Sequence, residues 1–503
     1  MKCIANAIPT ALAVLLGCVT CVRAELTTEQ EALRVARNHV RLMVLQGRWA
    51  TAGNPEVGAI QEFKRGQRVL GYFCPVKPVG FVVLSLHREL EPVKAFSATC
   101  DLDPTLEEGM TALLKDQMEG ILDAVAAKLG RAVKPDDQFH SLLQINYRPA
   151  FDILAANDFD PGHYATAQGS LAAAGMNYQE VGVLLTSRWH QLPPYNQQCP
   201  EMGCSWPDQG NFNSNSPVGC VATAGAQILR YWRWGPPEPF AWPNMCDVYR
   251  YDGAGWFNDE NGNPVTGPQI DAVAGLCHIV GIYVGMDYGC DGSGAVTSDM
   301  EGVFEALGYN GAACVLDHSD YEPLDWYNVL KEQINVNRPV QYRVVGHSIV
   351  CDGWMEEWGG PNYYWYHMNY GWVNESWTVW YALDALLHGN PGEEQAITNI
   401  VPNNAIGGAL APEYPGLPGM WRYFDQDIWS GPNATFYPGQ WLQILKSGFY
   451  LRSNGGPGQS VKFYGQPGLH TRFFLDGDAS AKTRILVQDG CLKIHNGAGM
   501  VIR

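Results

Sequence analysis

The chain reads as an α+β protein in three parts: a small mixed domain, a central unit with a helical half and a β-sheet half, and a C-terminal β-sandwich. Three observations predict this. Apolar and small residues recur at helical spacing over 221–232, where Val221, Ala224, Gly225, Ile228, Leu229 and Trp232 share one face. From about 340 the apolar and aromatic residues run in strand-like stretches instead. Beyond 403, Pro and Gly punctuate short alternating runs at turn spacing. The hydrophobic fraction is 46% and the charged fraction 17%, which excludes disorder. The net charge of −18 comes with no basic run, which excludes a nucleic-acid binder.

Residues 1–24 read as a secretory signal. Lys2 supplies the charge, 8–22 the apolar core, and Val22-Arg23-Ala24 the cleavage site. A competing reading is a lipobox, Leu15-Leu16-Gly17-Cys18, which would lipidate Cys18 and anchor the chain at a bacterial cell surface. Of the 14 cysteines, cleavage after Ala24 removes Cys3, Cys18 and Cys21, and setting Cys220 aside leaves an even ten, compatible with disulfides in an oxidising compartment. The soluble form is therefore the favoured one, and the pairing stays open.

Next comes a mixed domain. Thr28-Glu29-Gln30-Glu31 is a capping box opening a helix over 29–46. Strand-like runs follow at 69–75, 80–86 and 92–99, and a helix at 109–129 closes the domain. The small-residue stretch 155–175 has no apolar period and reads as an exposed linker, open to cleavage.

The central unit carries the chemistry. Cys220 sits in Pro217-Val218-Gly219-Cys220-Val221-Ala222, where a turn enters the 221–232 helix. A first-turn cysteine meets unpaired N–H groups and the positive end of the helix dipole, which favour thiolate over thiol. Further helical segments are expected at 268–280 and 297–307. His347 follows 127 residues after Cys220, in a strand, and can serve as base and then acid. Asn369, at an aromatic strand end before Gly371, can orient an imidazole. Gln191, upstream, could donate with the Cys220 backbone N–H to an oxyanion. Trp372 could shield the Asn369–His347 bond from water, and Asp352 stands as a substitute for Asn369. The acidic, Gly-rich loop with Asp287, Asp291 and Asp299 lacks the closing acid of an EF-hand. His278, His318 and His367 have no zinc spacing. No metal or cofactor is expected.

From about 189 to 402 the chain resembles the C10 peptidases, the streptopain family of papain-like cysteine endopeptidases. The resemblance rests on Gln191 with Pro194-Tyr195-Asn196, Gly219-Cys220-Val221-Ala222-Thr223-Ala224 with Ala226-Gln227-Ile228, Met286-Asp287-Tyr288-Gly289, and Gly346-His347 through Cys351-Asp352-Gly353 to His367-Met368-Asn369-Tyr370-Gly371-Trp372. Asn337-Arg338-Pro339-Val340 is similar too. It implies a papain-like catalytic domain with Cys220 as nucleophile, His347 as acid–base, Asn369 as orienting residue and Gln191 as oxyanion donor. It also implies protein or peptide substrates with an apolar P2 side chain. Residues 80–93 resemble, more weakly, the family's Spi-type inhibitory propeptide, which implies that the chain's own N-terminal domain is an intramolecular inhibitor. The expected division is then signal 1–24, propeptide and linker 25–165, peptidase 166–402, and a β-sandwich accessory or sorting domain 403–503. The family pattern has Trp where Tyr370 stands, Gly-Gly at Val373-Asn374, and His-Ala-Ala-Thr at Asn215-Ser216-Pro217-Val218. Tyr370, Val373 and Asn374 sustain an alternative, a catalytically degenerate secreted binding protein. The same triad would also serve acyl transfer to an amine.

Overall fold

The computed structural model describes residues 26–49, 54–135, 137–160, 178–233, 240–309, 313–335, 337–357, 363–372, 378–384, 386–387, 394–400 and eight short strands between 421 and 495. The signal or lipobox segment, the centre of the linker, Val373 and Asn374 lie outside them.

The N-terminal part runs α1 (Glu29–Leu45), β1 (Glu56–Val57), β2 (Gln61–Arg65), β3 (Arg68–Lys77), β4 (Phe81–Ser85), β5 (Val93–Ser97), α2 (Gly109–Leu129) and α3 (Arg148–Leu154). The capping box forms: the Glu31 N–H donates to Thr28 Oγ1 (3.3 Å), and the Thr28 N–H donates to Glu31 Oε2 (3.0 Å). Helix α2 ends where Gly130 adopts a left-handed conformation. The central unit runs β6 (Tyr178–Val181), α4 (Cys220–Trp232), β7 (Arg250–Tyr251), β8 (Phe257–Asn258), α5 (Gly267–Tyr283), α6 (Met300–Ala306), β9 (Cys314–Asp317), α7 (Pro323–Asn335), β10 (Val340–Val344), β11 (His347–Glu357), β12 (Tyr363–Asn369), β13 (Thr378–Ala382) and β14 (Gln395–Thr398). A second capping box, Thr266 with Gln269, starts α5. The α+β class holds, with helices first and sheet second in the central unit.

The two parts share one sheet. Its order is β1-β3-β4-β5-β13-β12-β11-β10-β14-β9, with β2 on β3 and β6 on β11, and its pairs are antiparallel. The seam is β5 against β13, where Phe96 faces Trp380 and Ala95 faces Tyr381. Phe96 also meets Trp365 edge-on at 5.2 Å. Beside the seam, Lys94 pairs with Asp384, both side chains nearly buried, and caps the Tyr381 ring at 4.2 Å. Helix α4 packs against α5 and, on its other side, β10 and β11. From Val221 to Trp232 it is buried.

The C-terminal strands correct one expectation. Trp421–Phe424, Trp441–Ile444 and Arg472–Leu475 pair in parallel, as do Ile428–Ser430 with Leu451–Ser453, and Thr435–Phe436 with Ser460–Tyr464 and Cys491–His495. The first four strands each pair with the third strand after them. That is a coil of parallel rows and not a β-sandwich of antiparallel hairpins. Alternation and turn spacing mark where strands occur but carry no information about partner or direction, so the short Gly- and Pro-rich links read as hairpins.

Candidate active site

Cys220 is the first residue of α4, and the turn before it is built for close approach. Gly219 caps the helix at φ +88°. A Cβ there would meet Met286 Sδ at 2.5 Å and the Ser293 carbonyl at 2.9 Å. The Gly-rich acidic loop is thus a wall of the nucleophile turn. Paired backbone bonds between Asp287 and Gly294 close it (2.8 and 3.0 Å). Ser293 Oγ donates to the Pro217 carbonyl (2.7 Å), and a Cys204–Cys290 disulfide ties the loop to the chain ahead of the turn. Gly219→Ala should lower folding stability by about 1–3 kcal/mol through backbone strain and crowding. It should also slow alkylation of Cys220. An unchanged thermal transition and labelling rate would show that the turn has room for a Cβ.

His347 opens β11 and reaches the thiol. Burial pushes the Cys220 thiol up, but the His347 charge and hydrogen bond, joined by the Ser348 and Val221 backbone, outweigh it and hold the thiol below its ordinary value. On its other side the imidazole donates from Nε2 to the main-chain carbonyl of Tyr370 (2.8 Å), which leaves Nδ1 for the thiol. Trp372 lies edge-on to the ring with centroids 4.7 Å apart.

Asn369 is close by but bonds elsewhere. Its Nδ2 donates to the Ser187 carbonyl (2.9 Å) and to Gln227 Oε1 (3.1 Å), and its Oδ1 accepts from the Gly371 N–H (3.2 Å). The expected Asn369–His347 bond is replaced by the Tyr370 carbonyl. Register gives the reason: Asn369 pairs with Val350, three residues along β11 from His347, or about 10 Å of strand. The chain turns at Gly371 (φ +61°) and brings the backbone of Tyr370 and the ring of Trp372 back over His347. Asp352 does not approach the imidazole of His347 as a partner. It accepts from His367 Nδ1 (2.6 Å) and from the Leu185 N–H (3.0 Å), at the irregular register between Cys351 and Gly353.

Gln191 is partly exposed, and its backbone carbonyl accepts from the Val218 N–H (2.8 Å), two residues ahead of Cys220. Its side chain therefore starts beside the first turn of α4, whose N–H groups lack helical partners. The preceding His190 is buried and accepts at Nδ1 from the Leu192 N–H (3.1 Å), which holds the Gln191 loop. Burial pushes that imidazole down to about 3, so it is a neutral acceptor. The arrangement brings together a thiol held below its ordinary value, an imidazole whose Nε2 donates to a fixed carbonyl, and the unpartnered N–H groups of a helix's first turn. That is the equipment for nucleophilic attack on a carbonyl carbon.

Residues 189–378 match the family model of the peptidase C10 family. That segment belongs to the peptidase C10 family. Streptopain of Streptococcus pyogenes serotype M28 is 29% identical to this chain over 221 residues, 39% of this chain and 54% of streptopain. The chain thus spans about half the length of the streptopain relatives it matches. The thiol protease/hemagglutinin PrtT of Porphyromonas gingivalis is 25% identical over 193 residues, 33% of this chain and 21% of PrtT. A solved fragment of Prevotella intermedia prointerpain A is 20% identical, with a TM-score of 0.45 over 69% of this chain and 98% of the fragment. Inside the C10 segment, sequence reading missed three contributors. Tyr370 acts through its carbonyl, which any residue carries. Gln227 lies in a quoted motif but was given no role. Ser293 sits in the Gly-rich loop whose acidic residues were weighed only as a calcium site.

Proposed function

We propose that the chain is a secreted zymogen of a cysteine endopeptidase that hydrolyses peptide bonds through a thioacyl intermediate on Cys220. The observation that carries this reading is Cys220 at the start of α4, hydrogen-bonded to the imidazole of His347, whose far nitrogen is fixed by the Tyr370 carbonyl. The thiolate attacks the scissile carbonyl. The oxyanion is met by the Cys220 N–H and the Gln191 amide. His347 gives its Nδ1 proton to the leaving amine, then takes one from water, whose oxygen attacks the thioester and frees the acid and Cys220. Membership of residues 189–378 in the C10 family supports the reaction class.

The N-terminal domain is the intramolecular inhibitor in this reading. It is supported by the β5–β13 seam, which seats the domain beside the strand that pairs with Asn369: Thr378 faces Asn369 and its carbonyl accepts from Cys100 Sγ (3.9 Å). The Cys204–Cys290 disulfide supports export to an oxidising compartment. No observation favours a degenerate, binding-only scaffold. Tyr370, one of the departures, bonds the imidazole through its main chain.

The test uses the full chain in reducing buffer near neutral pH with casein, with chain size and Cys220 alkylation by iodoacetamide followed by mass spectrometry. Hydrolysis should rise as the chain is cut within 155–191, and should stop in proportion to Cys220 alkylation. Hydrolysis that persists when Cys220 is fully alkylated, or a chain inert even after treatment with an activating protease, would remove the reading.

A further inference from the structure

Two turns down α4 from the nucleophile, on the same face, lies Gln227, seven residues after Cys220 and wholly buried. Its Oε1 accepts from the Trp189 N–H (3.0 Å), Ser187 Oγ (3.2 Å) and Asn369 Nδ2 (3.1 Å), and its Nε2 donates to Asn369 Oδ1 (3.4 Å). The two carboxamides are therefore paired face to face. With the Ser187 carbonyl and the Gly371 N–H added, each Asn369 side-chain heteroatom has two partners, and its amide has one orientation.

Asn369 and Gly371 flank Tyr370. The peptide that carries the Tyr370 carbonyl is thus gripped on its N-terminal side by the Asn369–Gln227 pair. On its C-terminal side it is gripped by the Asn369 bond to Gly371, whose α-carbon also abuts α4: a Cβ there would meet Thr223 Cγ2 at 3.2 Å. That carbonyl is the partner fixing Nε2 of His347.

We propose that Gln227 is a positioning residue for the Cys220–His347 pair, locking the 369–371 turn so that the Tyr370 carbonyl holds the imidazole toward the thiol. The helix that presents the nucleophile also sets the angle of its base, so the two halves of the site are registered through one side chain. The inference rests on the cysteine-peptidase reading for its consequence in catalysis, but its geometry can be read from the thiol alone.

The experiment compares the full chain with Gln227→Met, Gln227→Glu and Ser187→Ala, reading kcat and KM on a peptide substrate and the pH midpoint of Cys220 alkylation. Gln227→Met keeps the volume and loses all four bonds. It should lower kcat by about 10–100-fold with KM within about 2-fold, and raise the alkylation midpoint by about one pH unit. Ser187→Ala removes one bond, and Gln227→Glu keeps the acceptors and loses the donor. Both should shift the same readouts in the same direction by less. A folded Gln227→Met with wild-type kcat and midpoint overturns the proposal. Should that variant fail to fold, wild-type midpoints in the other two overturn it equally. A wild type that hydrolyses nothing, yet whose midpoint rises in Gln227→Met, supports the positioning and removes only the peptidase reading.

Discussion

In the proposed peptidase, Cys220→Ala should abolish hydrolysis, and His347→Ala should lower it by on the order of 10^4-fold. Attack requires the sulfur, and Cys220 is the thiol that His347 reaches. Cys74, Cys100, Cys199, Cys277 and Cys351 are buried and pushed up by burial, Cys74 to about 12. Losing His347 removes the proton donor for the leaving amine and also the charge that offsets burial at Cys220. With that charge gone, burial dominates, and the thiol moves above its ordinary value. Alkylation of Cys220 in His347→Ala should therefore shift to higher pH than in the wild type. The double variant should be no worse than Cys220→Ala, because the two groups act as a unit. Steady-state rates on casein and a pH series of alkylation check both. More than about one percent of wild-type hydrolysis in Cys220→Ala would assign the chemistry to another group.

What was legible in the sequence was local. The Thr28–Glu31 box needs only four residues, and it starts α1 where expected. Helix α4 announces itself by its small-residue face and its Gly219 entry, and it begins one residue ahead of the expected span, at Cys220 itself. Cys220 and His347 were legible because each chemistry demands a particular side chain. The partner of His347 was not, because the group is a backbone carbonyl and its identity lies in the turn at Gly371. The Cys204–Cys290 pair spans 86 residues and leaves no local trace. The β5–β13 seam was hidden for the same reason: β5 looks like any apolar strand, and its partner lies almost 300 residues on. Tertiary pairing chose among strands that sequence could only enumerate.

That seam makes the second large prediction. Lys94→Met should destabilise the protein by about 3–5 kcal/mol, because it leaves the Asp384 carboxylate buried without its cation. Burial already pushes the Asp384 carboxyl up against the pull of Lys94, and Glu394 adds to the rise. Lys94 also donates to the Ala382 carbonyl (3.1 Å) and lies over the Tyr381 ring, so the truncation removes a hydrogen bond and a cation–π contact at the strand that joins the domains. Adding Asp384→Leu to Lys94→Met should restore most of the loss, since an apolar pair of similar volume replaces a buried ion pair at little cost. Denaturant unfolding of the full chain checks this, with tryptophan fluorescence as the probe. A continuous sheet across the seam predicts that the N-terminal and central parts unfold in one transition, and that Lys94→Met lowers its midpoint as a whole. Two separate transitions, with only the first moved by the substitution, would show that β5 and β13 do not couple the domains. The same measurement bears on latency. In the proposed zymogen, strand pairing and the buried ion pair would slow release of the domain after the linker is cut, so hydrolysis would rise with a lag after cleavage. Lys94→Met should then speed the appearance of hydrolysis after cleavage, by weakening the contact that outlives the peptide bond.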